Sequence, residues 1–137
     1  MSFVKNVLVL LTVSFSAQMA LGSDETVYEL RTYTTVDGRL PALEKRFRDH
    51  TMRFFEKHGM QNVGYWIPIQ QPNTLIYILA HDDMESAKLS WKSFSSDAGW
   101  GRVAKESQKD GRILIKGGVK SVFMKAADYS PLTRFQQ

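Results

Sequence analysis

The sequence has no cysteine among its 137 residues. Disulfide bridges, thiol catalysis, cysteine-ligated zinc and a lipid-modified N-terminal cysteine are therefore excluded. A membrane-spanning run is also lacking: the apolar stretch Val7 to Phe15 falls well short of the roughly 20 residues a spanning helix needs. No stripe of Arg and Lys interleaved with aromatics appears. The charge balance is mild, 18 Lys+Arg against 14 Asp+Glu, and the basic residues are spread along the chain, so nucleic acid is not an expected partner. The three histidines, His50, His58 and His81, show no His-x-His or His-Glu-x-x-His spacing, so they predict no metal site. Gly117-Gly118 lacks the strand-before, helix-after context of a phosphate loop, and no Ser-His-Asp order or carboxylate pair stands out. The sequence calls for no cofactor.

What is present begins with an export signal. Residues 1–22 read as a secretory signal peptide. Lys5 precedes the apolar run, and Ala20-Leu21-Gly22 puts small side chains at both specificity positions of a cut before Ser23. The expectation is an exported protein, periplasmic or extracellular, with no stable membrane insertion after cleavage. Residues 23–127 then make one domain with a single core. Residues 128–137, which contain Pro131 and follow no period, form a tail.

Within the domain, Thr26 to Thr34 alternate as a strand, with Val27, Glu29, Arg31 and Tyr33 on one face. Val36-Asp37-Gly38 marks a turn. A helix from Leu40, with Pro41 in its tolerant first turn, shows an apolar face of Leu40, Leu43, Phe47, His50 and Phe54 and stops at Gly59. Met60–Gln70 and Thr74–His81 read as a hairpin around Gln71-Pro72-Asn73. Asp82 or Asp83 caps a second helix with Ala87, Trp91 and Phe94 inward, and a further helical piece runs from about Ala98 to Lys109. A last strand spans Val119 to Lys125. The order β-α-β-β-α-β is the split βαβ arrangement, an α+β ferredoxin-like sandwich with a four-stranded antiparallel sheet. Its helices cover one face, and apolar groups on the other imply an interface or a groove.

Several segments resemble the NIPSNAP family: Tyr28 to Tyr33 (YELRTY), Arg46 to Met60 with its helix histidine and His-Gly-Met ending, Gly64-Tyr65-Trp66, Ser96-Asp97 to Trp100, and Asp128 to Leu132. In this order they cover about residues 26 to 132. The resemblance implies a dimeric α/β barrel, hence a homodimer packed sheet against sheet. It leaves the activity unassigned, since other branches of the superfamily include monooxygenases, haem enzymes and small isomerases.

On the barrel reading, Arg31 is a candidate to orient an anionic substrate, with Glu29 as its partner or as a base. The alternative is a structural ion pair. His50, on the apolar stripe, is a candidate proton carrier or haem ligand, against an ordinary buried histidine bonded to a strand. His58 sits where a helix C-terminus favours its charge. Tyr33, Trp66 and Tyr77 are candidate walls of a cavity for a small apolar or aromatic molecule, with the dimer interface as the other reading of Trp66 and Tyr77. Trp91 and Trp100 read as core of the helix layer. The function expected is that of a small-molecule-binding homodimer. Its alternatives are a cofactor-independent monooxygenase or isomerase using Arg31, Glu29 and His50, and a structural or partner-binding dimer.

Overall fold

Val27–Thr35 forms β1, as its alternation predicts. The computed structural model describes residues 25–132, so the expected signal peptide and the end of the expected tail lie outside the described residues. β2 (Gln61–Trp66), β3 (Thr74–His81) and β4 (Leu114–Lys125) join β1 in one sheet of order β2-β3-β1-β4. Each neighbouring pair is antiparallel. Between β1 and β2 run α1 (Leu40–Arg46), a π-helical turn (Phe47–Thr51) and α2 (Met52–Lys57). Between β3 and β4 run α3 (Met84–Ser96) and α4 (Ala98–Glu106). This is the α+β, ferredoxin-like arrangement, with one four-stranded antiparallel sheet and a helical layer.

Register decides which side chains meet the helices. Glu29 stands opposite Leu79 and Phe123, Arg31 opposite Tyr77 and Ser121, and Tyr33 opposite Leu75 and Val119. Side chains directly across from each other share a face, and this face carries the core. Phe47 from the π-helical turn meets the rings of Tyr33, Tyr65 and Tyr77 edge-on at 5.9, 5.6 and 5.2 Å. Phe55 from α2 stacks on Tyr77 at 5.8 Å. On the opposite face Leu30 lies between Ile78 and Val122, and Thr32 between Ile76 and Lys120.

The first helix departs from the predicted stripe at one point. An α-helix continuing through Phe47 would turn His50 and Phe54 inward; instead Thr51 and Phe55 are buried and His50 is exposed. The π-helical turn takes one extra residue, which rotates everything after it by about one position and replaces the i+3 step by i+4. The Thr51 hydroxyl donates to the Arg46 carbonyl at 3.1 Å, supporting the loosened backbone there.

Two strand boundaries differ as well. β2 stops at Trp66 rather than Gln70, since Pro68 has no N–H for the ladder and Ile69 is fully exposed. β4 starts at Leu114 rather than Val119 and runs through Gly117-Gly118. The β1–β4 register shifts between Tyr33 and Thr35, Gly117 adopts φ +69°, and a Cβ on Gly118 would lie 2.6 Å from the Thr34 carbonyl oxygen. The glycine pair is thus a bulge, which explains its presence without a phosphate.

Helix ends are tied by side chains. Asp83 caps α3 by accepting from the Ser86 N–H at 2.7 Å. Asp97 caps α4 through the Gly99 and Trp100 N–H groups and also receives Lys57 at 2.6 Å and His58 at 2.8 Å. Lys57 and His58, together with the two N–H groups, hold the Asp97 carboxyl well below the ordinary aspartate range. His58 is the C-cap of α2, so this carboxylate joins the end of the first helix to the start of the last.

Candidate functional site

Glu29 is the centre of a polar cluster built into the helix-facing side of the sheet. Its side chain is 1 % exposed, and both oxygens are occupied. Oε1 accepts from Arg31 Nη1 at 2.6 Å and from the Ser121 hydroxyl at 2.6 Å. Oε2 accepts from Trp91 Nε1 at 2.6 Å and from His81 Nε2 at 3.0 Å. The strands position these groups by parity. Ser121 lies across from Arg31 on β4, and His81 lies across from Val27 on β3, so both flank Glu29 on its own face. Trp91 reaches down from α3. Burial works to raise the Glu29 carboxyl, but His81, Ser121, Trp91 and Arg31 together overcome it and lower its pKa to about 2.

An ionised carboxylate only accepts, so the 3.0 Å contact assigns the proton to His81 Nε2. His81 Nδ1 is buried and has no hydrogen-bond partner among the described residues.

Arg31 is as fully engaged as Glu29. Its Nε donates to the Tyr77 hydroxyl at 2.9 Å, its Nη2 to the Tyr33 hydroxyl at 3.3 Å, and its guanidinium carbon lies 4.2 Å from the centre of the Trp91 ring. Burial disfavours the charge, but Tyr33, Tyr77 and Glu29 hold the guanidinium above its ordinary value. The Tyr77 hydroxyl is pushed well up, chiefly by burial, and stays neutral.

The predicted site residues therefore divide. Glu29, Arg31, Tyr33 and Tyr77 come together. Tyr77 shares no face with Trp66: its ring is wholly buried under Phe47 and Phe55, whereas Trp66 is half exposed on the other side of the sheet. There the Trp66 ring folds over Gly64, where a Cβ would lie 2.6 Å from it. His50 is turned away from Arg31 by the π-helical turn. It lines a groove of about 470 Å³ between α1 and α4, together with Arg39, Arg46, Arg102 and Val103. Trp91 and Trp100 pack on the core as predicted, but Trp91 is also a hydrogen-bond donor of the cluster. His81 and Ser121 join the cluster too; the sequence marked neither, and the signal that finds them is the strand register. Among the described residues no group of three His, Asp or Glu is placed to hold a metal ion.

The NIPSNAP family model matches residues 28–131, from the start of β1 to beyond β4. The chain belongs to the NIPSNAP family. A NIPSNAP family protein of unknown function from Agrobacterium tumefaciens has this fold, with a TM-score of 0.68 at 25% identity over 81% of this chain and 96% of that one. A NIPSNAP-like domain protein from Burkholderia xenovorans gives 0.68 at 13% identity, covering 79% and 90%. SnoaB, a cofactor-independent oxygenase from Streptomyces nogalater, gives 0.54 at 14% identity over 78% and 98%. At that identity the likeness of SnoaB to this NIPSNAP domain shows the fold alone. No curated protein matches the sequence.

Proposed function

We propose that this NIPSNAP protein is an exported homodimer that acts by binding a small apolar or aromatic molecule against its helical layer, with the Glu29–Arg31 pair serving as scaffold. One observation carries the reading. The two residues best suited to chemistry spend their hydrogen bonds on each other and on Ser121, His81, Trp91, Tyr33 and Tyr77. A carboxylate that accepts four hydrogen bonds and titrates at about 2 is a weak base. The 470 Å³ groove between α1 and α4, by contrast, has the size of an ordinary ligand site.

The homodimer reading rests on the sheet face that no described helix covers. Trp66, Ile76, Ile78, Leu30 and Val122 share it, and Lys120 is the charged side chain in their register rows. A second copy, sheet to sheet, covers this surface and gives the dimeric barrel that the family resemblance implies.

Native mass spectrometry of the secreted protein tests the whole reading. The expected spectrum shows a chain cleaved before Ser23, a dimer, and a retained small-molecule mass. A monomer without any adduct overturns it. The alternative of a cofactor-independent monooxygenase or isomerase shares its fold with SnoaB. It requires turnover that is lost in Glu29→Gln while the fold is kept.

A further inference from the structure

Arg46 is a guanidinium without a counter-ion among the described residues, and it lines the groove. It sits at the end of α1, 93% removed from solvent. Its Nη1 makes one long contact, 3.4 Å to the Ser107 hydroxyl of the opposite wall. Its Nε is buried with no hydrogen-bond partner among the described residues. The Trp100 ring lies 5.5 Å from its guanidinium carbon. No described carboxylate pairs with it, although buried arginines are ordinarily paired. Arg31, on the other side of the aromatic core, shows the contrast: each of its nitrogens has a partner.

The surrounding charges decide which ligand Arg46 selects. On the groove walls Lys45 is paired with Asp49 and Lys109 with Glu106. Arg39, Arg46 and Arg102 remain without carboxylates among the described ion pairs, and Asp110 is the one acid left over. The Arg39 Nε is also buried without a partner. Cations exceed acids by two on these walls, which suits an anion, and the three carboxylates beside them favour one with a single charge over a dianion. Ala42 and Val103 supply apolar wall.

We propose that the groove between α1 and α4 binds a small organic monocarboxylate, its carboxylate on the Arg46 guanidinium and its apolar body along Ala42 and Val103. A planar guanidinium without a described carboxylate partner matches a ligand carboxylate in two parallel hydrogen bonds. This inference rests on the small-molecule reading above and specifies its site and the charge of the ligand.

The experiment is calorimetric titration of the secreted protein with benzoate, benzyl alcohol and inorganic phosphate, followed also by tryptophan fluorescence as a report from Trp100. Benzoate is expected to bind, benzyl alcohol and phosphate to bind at least about tenfold more weakly. Arg46→Gln is expected to weaken benzoate by about tenfold or more. Because Arg46 is buried, the exposed Arg102→Glu serves as a second variant that leaves the fold alone; it is expected to weaken benzoate by about threefold, less so at high salt. Benzoate binding unchanged in both variants overturns the site. Benzyl alcohol binding as tightly as benzoate overturns the charge assignment while leaving the small-molecule reading standing. Tighter phosphate binding replaces the monocarboxylate. No binding by any of the three, with no adduct in the native mass spectrum, removes both readings.

Discussion

Glu29 shows how a residue with the look of a catalytic base becomes part of a frame. A strand places it two positions from Arg31, and burial at 1 % exposure makes an unpaired charge there costly. Glu29→Gln keeps the shape but removes the charge, leaving Arg31 buried without its anion. The expected loss is about 3–5 kcal/mol of folding stability, readable as a lower urea midpoint. A second expectation concerns acid. The carboxyl titrates at 4.5 when unfolded and at about 2 when folded, so its contribution is complete above pH 4.5. As the pH falls towards 2 the unfolded chain takes up the proton first and the contribution is lost. The span is about 3 kcal/mol. Urea melts between pH 6 and pH 2 should show this fall in the wild type and a clearly smaller one in Glu29→Gln, where Asp97, also held below its ordinary range, keeps its own share. Equal slopes would mean that another group carries the acid sensitivity.

At the scale of elements, the sequence was legible wherever one local rule acted alone. The alternation in β1, the Asp83 cap, the stop at Gly59 and the hairpin of β2 and β3 each follow from a single stretch of chain. Legibility failed where two stretches had to be read together. The π-helical turn has no local signature in Phe47–Thr51; it is favoured because Phe47, Thr51 and Phe55 at steps of four meet the sheet better than His50 and Phe54. The candidate site shows the same division. Parity put Glu29, Arg31 and Tyr33 on one face, but only the pairing register brings in His81 and Ser121 from β3 and β4.

Substitutions test these element-scale claims. Thr51→Val removes the hydroxyl that supports the Arg46 carbonyl, at a cost of about 1 kcal/mol, measured as a lower melting temperature. Two glycines should respond in opposite directions. Gly118→Ala forces a Cβ against the Thr34 carbonyl oxygen and should destabilise. Gly101→Ala, within α4 and facing open space, should stabilise by about 0.5–1 kcal/mol. If Gly118→Ala melted like the wild type, the bulge would not depend on the close approach.

For the whole molecule the two faces of the sheet have opposite fates. One is filled by the aromatic core and the Glu29 cluster. The other carries Leu30, Ile76, Ile78, Val122 and Trp66, and none of the described helices lies over it. A surface of that composition needs a cover, and in the proposed homodimer a second copy would meet it with the same residues by two-fold symmetry. Val122 is more than half exposed in the isolated chain and sits in the row with Leu30 and Ile78. Val122→Asp therefore leaves the core of each protomer intact and places two like charges at or near the centre of the interface. Sedimentation equilibrium at micromolar concentration should find the wild type dimeric and Val122→Asp shifted towards monomer, with its circular dichroism unchanged. A wild type that is monomeric there removes the sheet-to-sheet dimer. A variant that stays dimeric moves the interface elsewhere, with the exposed edge of β4 as the next surface to substitute.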